Sequence, residues 1–188
     1  MTESILFSLL RAAVFSVHSE NLKPTNLSED TLAAVYDLAK RHDMAHLIGL
    51  GLERNGCCND GKLSQTLRKQ TMQAVYRCAR LQDEFERVGV LFEDAQIPYI
   101  PLKGTVIRDW YPEPWMRTCT DIDILIRKED LDTGIRVLTE KLGYRHQGTA
   151  FHDASLFSTT GVHLELHYEL ADTIAPEKAR RLLSNVWS

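Results

Sequence analysis

Cysteine is scarce in this 188-residue chain, with four residues at positions 57, 58, 78 and 119. Cys57 and Cys58 are adjacent and nothing forms a paired CxxC, which excludes a zinc knuckle, a dithiol redox motif and a disulfide scaffold. Long apolar runs are also missing. The nearest approach, Ile5 to Val17, follows Glu3 rather than a basic stretch and is broken by Arg11. A membrane span needs about 20 apolar residues, so this run reads as neither a span nor a signal peptide. The expectation is a protein of a reducing compartment, the cytoplasm. A basic excess is lacking too: 22 Lys+Arg stand against 26 Asp+Glu, a net charge of -4. No global positive field grips a long polynucleotide. Internal repeats and low-complexity linkers are absent. A hydrophobic share of 44% with 26% charged residues excludes collagen-like and disordered architectures and supplies a sizeable core.

What is present divides into a helical half and a mixed half. Ile5, Leu6, Leu9, Leu10, Ala13, Val14 and Val17 recur at helical spacing. Ser28 reads as the N-cap of a second helix that carries Leu32, Val35, Tyr36 and Ala39 on one face. Thr31 stands where a capping box would have Glu or Gln. A third helical segment, Met44 to Glu53, stops near Asn55-Gly56, and residues 55–62 read as a loop. From Leu63 to Asp94 one stripe (Leu63, Leu67, Thr71, Ala74, Cys78, Leu81, Phe85, Val88, Phe92) alternates spacings of four and three. Thr71, Ala74 and Cys78 make a weak coiled-coil seam, so a long core helix is the better reading. Its Arg68, Lys69, Arg77 and Arg80 fit a solvated face.

The period changes after Gln96. Residues 97–100 suggest a short strand, with Pro98 marking an edge or a strand start, and Thr120 to Arg127 a second one. Asp130 to Leu142 returns to helical spacing and ends at Gly143. Phe151 to Ser158 and Val162 to Leu170 read as a hairpin around Thr159-Thr160-Gly161. Pro176 opens a further stripe, Ala179, Leu182, Leu183 and Val186, which stops at Ser188. The expected class is α+β, and the expected organisation is a helical region over 1–95, a mixed core over 96–175 and the start of a helix over 176–188. On this reading the chain is a fragment or a short form.

Asp121 and Asp123 flank Ile122 in a strand pattern, so both carboxylates share one face while Ile122, Ile124 and Ile126 share the other. Adjacent acids repel unless solvated, protonated or metal-bound. Two hard oxygen ligands at this spacing suit Mg²⁺. Along His163-Leu164-Glu165-Leu166-His167-Tyr168-Glu169 polar and apolar residues alternate strictly, which places His163, Glu165, His167 and Glu169 on one face. Should this strand lie beside the first, Glu165 supplies a third carboxylate, enough for two divalent ions. A zinc site on the two histidines and Glu165, and a solvated strand with no ligand, are the alternatives. Upstream, Lys103-Gly104-Thr105 lies between a strand candidate and a helical segment, Val106 to Trp110. A glycine there lets backbone amides approach a phosphate. This is no Walker A loop, since the spaced glycine pair before the lysine is missing. Arg117 lies four residues before Asp121 and could reach phosphate oxygens.

Taken together, Leu102-Lys103-Gly104, Tyr111-Pro112, Arg117, Asp121-Ile122-Asp123 and Glu165-Leu166-His167 resemble the uncharacterised nucleotidyltransferase family of the DNA polymerase beta-like superfamily. The resemblance spans about residues 97–170, and its specificity comes from the order and spacing of separate motifs. It implies a small mixed sheet with helices on one side, an NTP substrate and two Mg²⁺ ions, with Mn²⁺ as a substitute. Carried over, Asp121 and Asp123 are metal ligands, and Glu165 is the third carboxylate beside the acceptor hydroxyl. These three are the expected catalytic residues. Lys103, Gly104, Thr105 and Arg117 are the expected nucleotide contacts, although the wider superfamily has a Gly-Ser turn where Lys103-Gly104 stands. His167 belongs to the family pattern, Tyr168 stands where Trp is frequent, and His152 is a further candidate for the site wall. The implied reaction is transfer of an NMP from an NTP to a hydroxyl of a protein, a nucleic acid end or a small molecule. A nucleotide-binding regulator without turnover and a zinc-dependent hydrolase are the competing functions.

Overall fold

The computed structural model describes residues 2–17, 27–57, 61–170, 176–183 and 185–187. Cys58 lies outside them. By internal contacts the chain divides into two compact units, Met1–Ala79 with Arg108–Thr118, and Arg80–Ile107 with Cys119–Ser188.

The first unit is helical. Helices α1 (Thr2–Phe15), α2 (Glu29–Arg41) and α3 (Ala45–Arg54) precede the long α4 (Lys62–Asp94), which passes from the first unit into the second. Leu6, Leu9, Leu32, Val35, Ala39, Ala45, Ile48, Leu52 and Leu67 form its core. The expected cap is present: Ser28 Oγ accepts from the Thr31 amide at 3.2 Å. The last turn of α1 exposes carbonyls with no partner inside the helix. Arg54 reaches over from α3 and donates to the Ala12 and Ala13 carbonyls at 3.0 and 2.6 Å.

His46 is a buried titratable group of this unit. Its Nε2 donates to the Met116 carbonyl at 3.0 Å, and its own carbonyl accepts from Thr71 Oγ1 at 2.8 Å. Burial pushes its pKa below the ordinary 6.5, and Arg77 adds to this, against the Met116 bond and Asp43. A histidine kept neutral in the folded state and protonated more readily when unfolded contributes stability above pH 6.5 that is lost as pH falls below it. We expect the melting temperature of the wild type to drop more steeply between pH 7.5 and 5.5 than that of His46→Gln, which keeps a donor for Met116. Parallel slopes would remove His46 from the pH dependence.

The second unit is built on a five-stranded sheet in the order β1-β2-β5-β4-β3. Its strands are β1 (Tyr99–Pro101), β2 (Asp121–Ile126), β3 (Arg145–Thr149), β4 (Asp153–Phe157) and β5 (His163–His167). β2 and β5 pair in parallel, and every other pair is antiparallel. Short helix α5 (Lys103–Ile107) follows β1, helix α6 (Leu131–Leu142) follows β2, and α7 (Glu177–Leu183) follows β5. Gly143 ends α6 with φ 69°, the left-handed conformation that a side chain disfavours.

One sheet face is apolar. Ile122, Ile124, Ile126, Ala154, Leu156, Leu164 and Leu166 share a buried cluster with Leu81, Val88 and Phe92 of α4 and Leu138 of α6. The long stripe of α4 is therefore core, as its spacing suggests. Pro98 precedes an edge strand, again as expected. Two local details differ. The helix after β1 starts at Lys103 rather than Val106 and gives way to a 3-10 turn at Arg108–Trp110. An extra strand, β3, pairs with β4; all five of its residues are exposed, so no apolar alternation announces it. Among the described residues, no helix is long and apolar enough to cross a membrane.

Candidate active site

The opposite face of the same sheet is polar, and period-2 alternation decides what it carries. In β2 the isoleucines turn to the core, so Asp121 and Asp123 turn away from it. In β5 Leu164 and Leu166 do the same for His163, Glu165 and His167. The parallel register sets Asp121 beside His163, Asp123 beside Glu165, and Leu125 beside His167. On the other flank, β4 sets Asp153 beside His167 and Ser155 beside Glu165. The carboxylates of two sequence motifs more than 40 residues apart thus become lateral neighbours.

Asp123 is the centre of the cluster and is buried. Its Oδ1 accepts from Lys103 Nζ at 2.6 Å and from His167 Nε2 at 2.9 Å. The same two side chains approach Glu165 Oε2, His167 at 3.3 Å and Lys103 at 3.8 Å. Burial by itself would raise the Asp123 pKa, but the hydrogen bonds from His167 and Lys103 and the lysine charge outweigh it and bring it to about 2. Glu165 moves the other way. Burial, the hydrogen bond with Asp123 and its charge raise its pKa, against the pull of Lys103 and His167. Burial opposes the charge on Lys103, yet Asp123, Glu165 and Asp121 hold its pKa above the usual value. Two carboxylates pushed in opposite directions at one spot are a mark of a functional centre.

Around this centre, His167 is buried and stacks on His152, with ring centroids 5.8 Å apart. The chain after β5 keeps that wall in place: the Tyr168 amide donates to the His152 carbonyl at 2.9 Å, and the Tyr168 hydroxyl to Ala150 at 2.6 Å. His163 Nε2 and Ser155 Oγ are 2.8 Å apart. Asp153, 3.3 Å from His152, and Ser155 were not singled out by the sequence patterns. The polar-apolar alternation of Asp153-Ala154-Ser155-Leu156 would have placed both on the site face.

Of the expected site residues, the structure brings Asp121, Asp123, Glu165, Lys103, His167 and His152 to this face. Gly104 and Thr105 are buried within α5, directly after Lys103. Arg117 follows the 3-10 turn Pro114–Met116 and falls in the first unit. Glu169 lies beyond the end of β5, 3.6 Å from Lys128.

The donor set fits divalent cations. Asp121, His163 and Glu165 form one group whose ligand atoms lie within 4.8 Å of one another, and Asp123, Glu165 and His167 form another. Hard carboxylate oxygens dominate both, which suits Mg²⁺ or Mn²⁺. His163 and His167 fall in different groups. Four residues along a strand separate them by about 13 Å, so a single zinc ion held by both, with Glu165 between, has no geometric support.

A mixed sheet covered by helices on one face, with acids of adjacent strands on the other, agrees with the fold that the sequence resemblance implies. The uncharacterised nucleotidyltransferase family matches residues 28–188, and the chain belongs to it. No curated protein matches the sequence. Among solved structures, it is similar to the antibiotic-resistance factor ANT(2'')-Ia at 17% identity and a TM-score of 0.40, over 57% of this chain and 55% of that one.

Proposed function

We propose that the protein is a metal-dependent nucleotidyltransferase that moves an NMP from an NTP to a hydroxyl acceptor, with residues 96–175 carrying the chemistry. The observation that supports this best is the parallel β2/β5 register, in which Asp123 faces Glu165 while Asp121 shares their side of the sheet. In this reading Asp121, Asp123 and Glu165 hold the divalent ions, Mg²⁺ or Mn²⁺. Such ions, when bound, would neutralise the charge of the triphosphate and the charge that develops during the displacement. Glu165 orients the acceptor hydroxyl and takes its proton as the oxygen bonds to the α-phosphorus. The bond from that phosphorus to the bridging oxygen breaks, and pyrophosphate leaves. Lys103 and the segment Gly104-Thr105 meet the phosphates. His167 fixes the carboxylates of Asp123 and Glu165, and His152 backs it. A net charge of -4 favours a small molecule, a protein side chain or a nucleic acid end over a long polynucleotide. A cytoplasmic location, expected from the sequence, is part of this proposal.

The test is a thermal shift combined with transfer. The clustered acids repel a triphosphate unless cations lie between, so NTP and Mg²⁺ should stabilise together and excess chelator should abolish the shift. At a hundred times the dissociation constant the gain is about 2.7 kcal/mol. Glu165→Gln should retain most of this shift and lose transfer of radiolabelled NMP to acceptors in a lysate. An equal shift with and without chelator would refute the metal-dependent reading. Full stabilisation by Zn²⁺ alone would favour the hydrolase instead.

A further inference from the structure

Lys103 is placed where a lysine assigned only to phosphates need not be. Its Nζ lies 2.6 Å from Asp123 Oδ1 and 3.8 Å from Glu165 Oε2. The side chain is 59% exposed, whereas those of Asp123 and Glu165 are 4% and 23% exposed. The acids are therefore held within the fold, while the cation is a flexible arm reaching in from solvent. Its backbone is unusual as well. Lys103 opens α5 with φ 43°, a left-handed conformation that costs a side-chain-bearing residue energy and persists where surroundings enforce it. Strand β1 ends two residues earlier, and the Leu102 amide is bonded to the Asp123 carbonyl at 2.9 Å. The chain thus turns at Lys103 directly beside the acid that its ammonium contacts.

An ammonium and a divalent ion cannot both occupy the mouth of one carboxylate pair without strong repulsion. We propose that Lys103 is the resident counter-cation of the carboxylate cluster, displaced when a divalent ion enters and then held by the phosphates of the nucleotide. This deepens the function proposed above and rests on its assignment of Asp121, Asp123 and Glu165 as metal ligands. The consequence is coupling. A free divalent ion must evict Lys103 with nothing to receive it, whereas a metal–nucleotide complex brings the anion that does. Metal and nucleotide then bind more tightly together than either does alone.

Mn²⁺ binding to the whole chain, read from the electron paramagnetic resonance of the free ion, tests this without turnover. Wild type, Lys103→Met and Lys103→Gln are titrated with Mn²⁺ alone and with a non-hydrolysable NTP analogue, after circular dichroism confirms their fold. Asp123→Asn serves as the control for the site. Removing the competing charge should tighten binding of Mn²⁺ alone about tenfold, a contribution already reduced for the exposure of the lysine. The enhancement of Mn²⁺ affinity by the analogue should shrink by a similar factor. If both lysine variants bind Mn²⁺ alone no more tightly than wild type while Asp123→Asn loses it, the counter-cation role is wrong and the metal site stands. If Asp123→Asn binds Mn²⁺ with the analogue as wild type does, the metal site and the role of Lys103 fall together.

Discussion

Asparagine at position 123 is expected to lower nucleotidyl transfer by about a thousandfold and to abolish the stabilisation by Mg²⁺ with NTP, while leaving a folded protein. The side chain keeps its volume, and its amide oxygen can still accept from Lys103 and His167. The core face of β2 is untouched, because Ile122 and Ile124 point the other way and are fully buried. What disappears is the charge that holds the cation. The stability cost of Asp123→Asn should be small, about 1 kcal/mol, since the exposed lysine finds water readily. Its sign follows from the carboxyl's pKa, lowered from 3.8 to about 2 in the folded state. The contribution is present above pH 3.8, lost as pH falls toward 2, and absent from the variant throughout. Asp121→Asn, at a half-buried position, should lose transfer with less change in stability. Isothermal titration with Mg²⁺ and a non-hydrolysable NTP analogue, beside a urea melt, reads both effects. Binding by Asp123→Asn indistinguishable from wild type would show that the cation is held elsewhere.

The largest structural effect is expected at Gly51. A Cβ built there lies 2.4 Å from the carbonyl oxygen of Leu9 and 2.9 Å from its carbon, both backbone atoms of α1. No rotamer change can relieve that approach, so Gly51→Ala must push α3 away from α1 and open the core around Leu9, Ile48 and Leu52. Overpacking of this kind costs about 3 kcal/mol, a large part of the stability of an ordinary domain. Gly56→Ala is the matched control. Unlike Gly51, Gly56 has a positive φ, 66°, and nothing stands within 4 Å of its would-be Cβ. Its cost should be about 1 kcal/mol, from backbone conformation alone. Urea denaturation followed by circular dichroism compares the two. A Gly51→Ala midpoint as high as that of Gly56→Ala would mean that the helices part without loss.

Local pattern made much of this protein legible. Period-2 alternation is a property of one strand, so the shared face of Asp121 and Asp123, and that of His163, Glu165 and His167, could be read before any strand had a neighbour. Ser28 at a helix start and Gly143 at a helix end are equally local, because a cap depends on backbone groups within one turn. The stripe of α4 identified a core helix for the same reason. These elements and their site face were determined by the sequence alone.

Pairing was not. That Asp123 faces Glu165 follows from a parallel register between strands separated by α6, β3 and β4, which no short-range spacing encodes. The fully exposed β3 exists through its hydrogen bonds to β4, since a strand with neither face buried leaves no hydrophobic signal. Gly51 is indispensable only because α1 crosses it at backbone distance, and a glycine carries no mark of what will approach it. The sequence motif presents Lys103 as a phosphate ligand; the turn at φ 43° sets its ammonium against Asp123 and Glu165. Side-chain direction along an element is set by local geometry, but the partner it meets depends on contacts distant in the chain, and these only the tertiary fold decided.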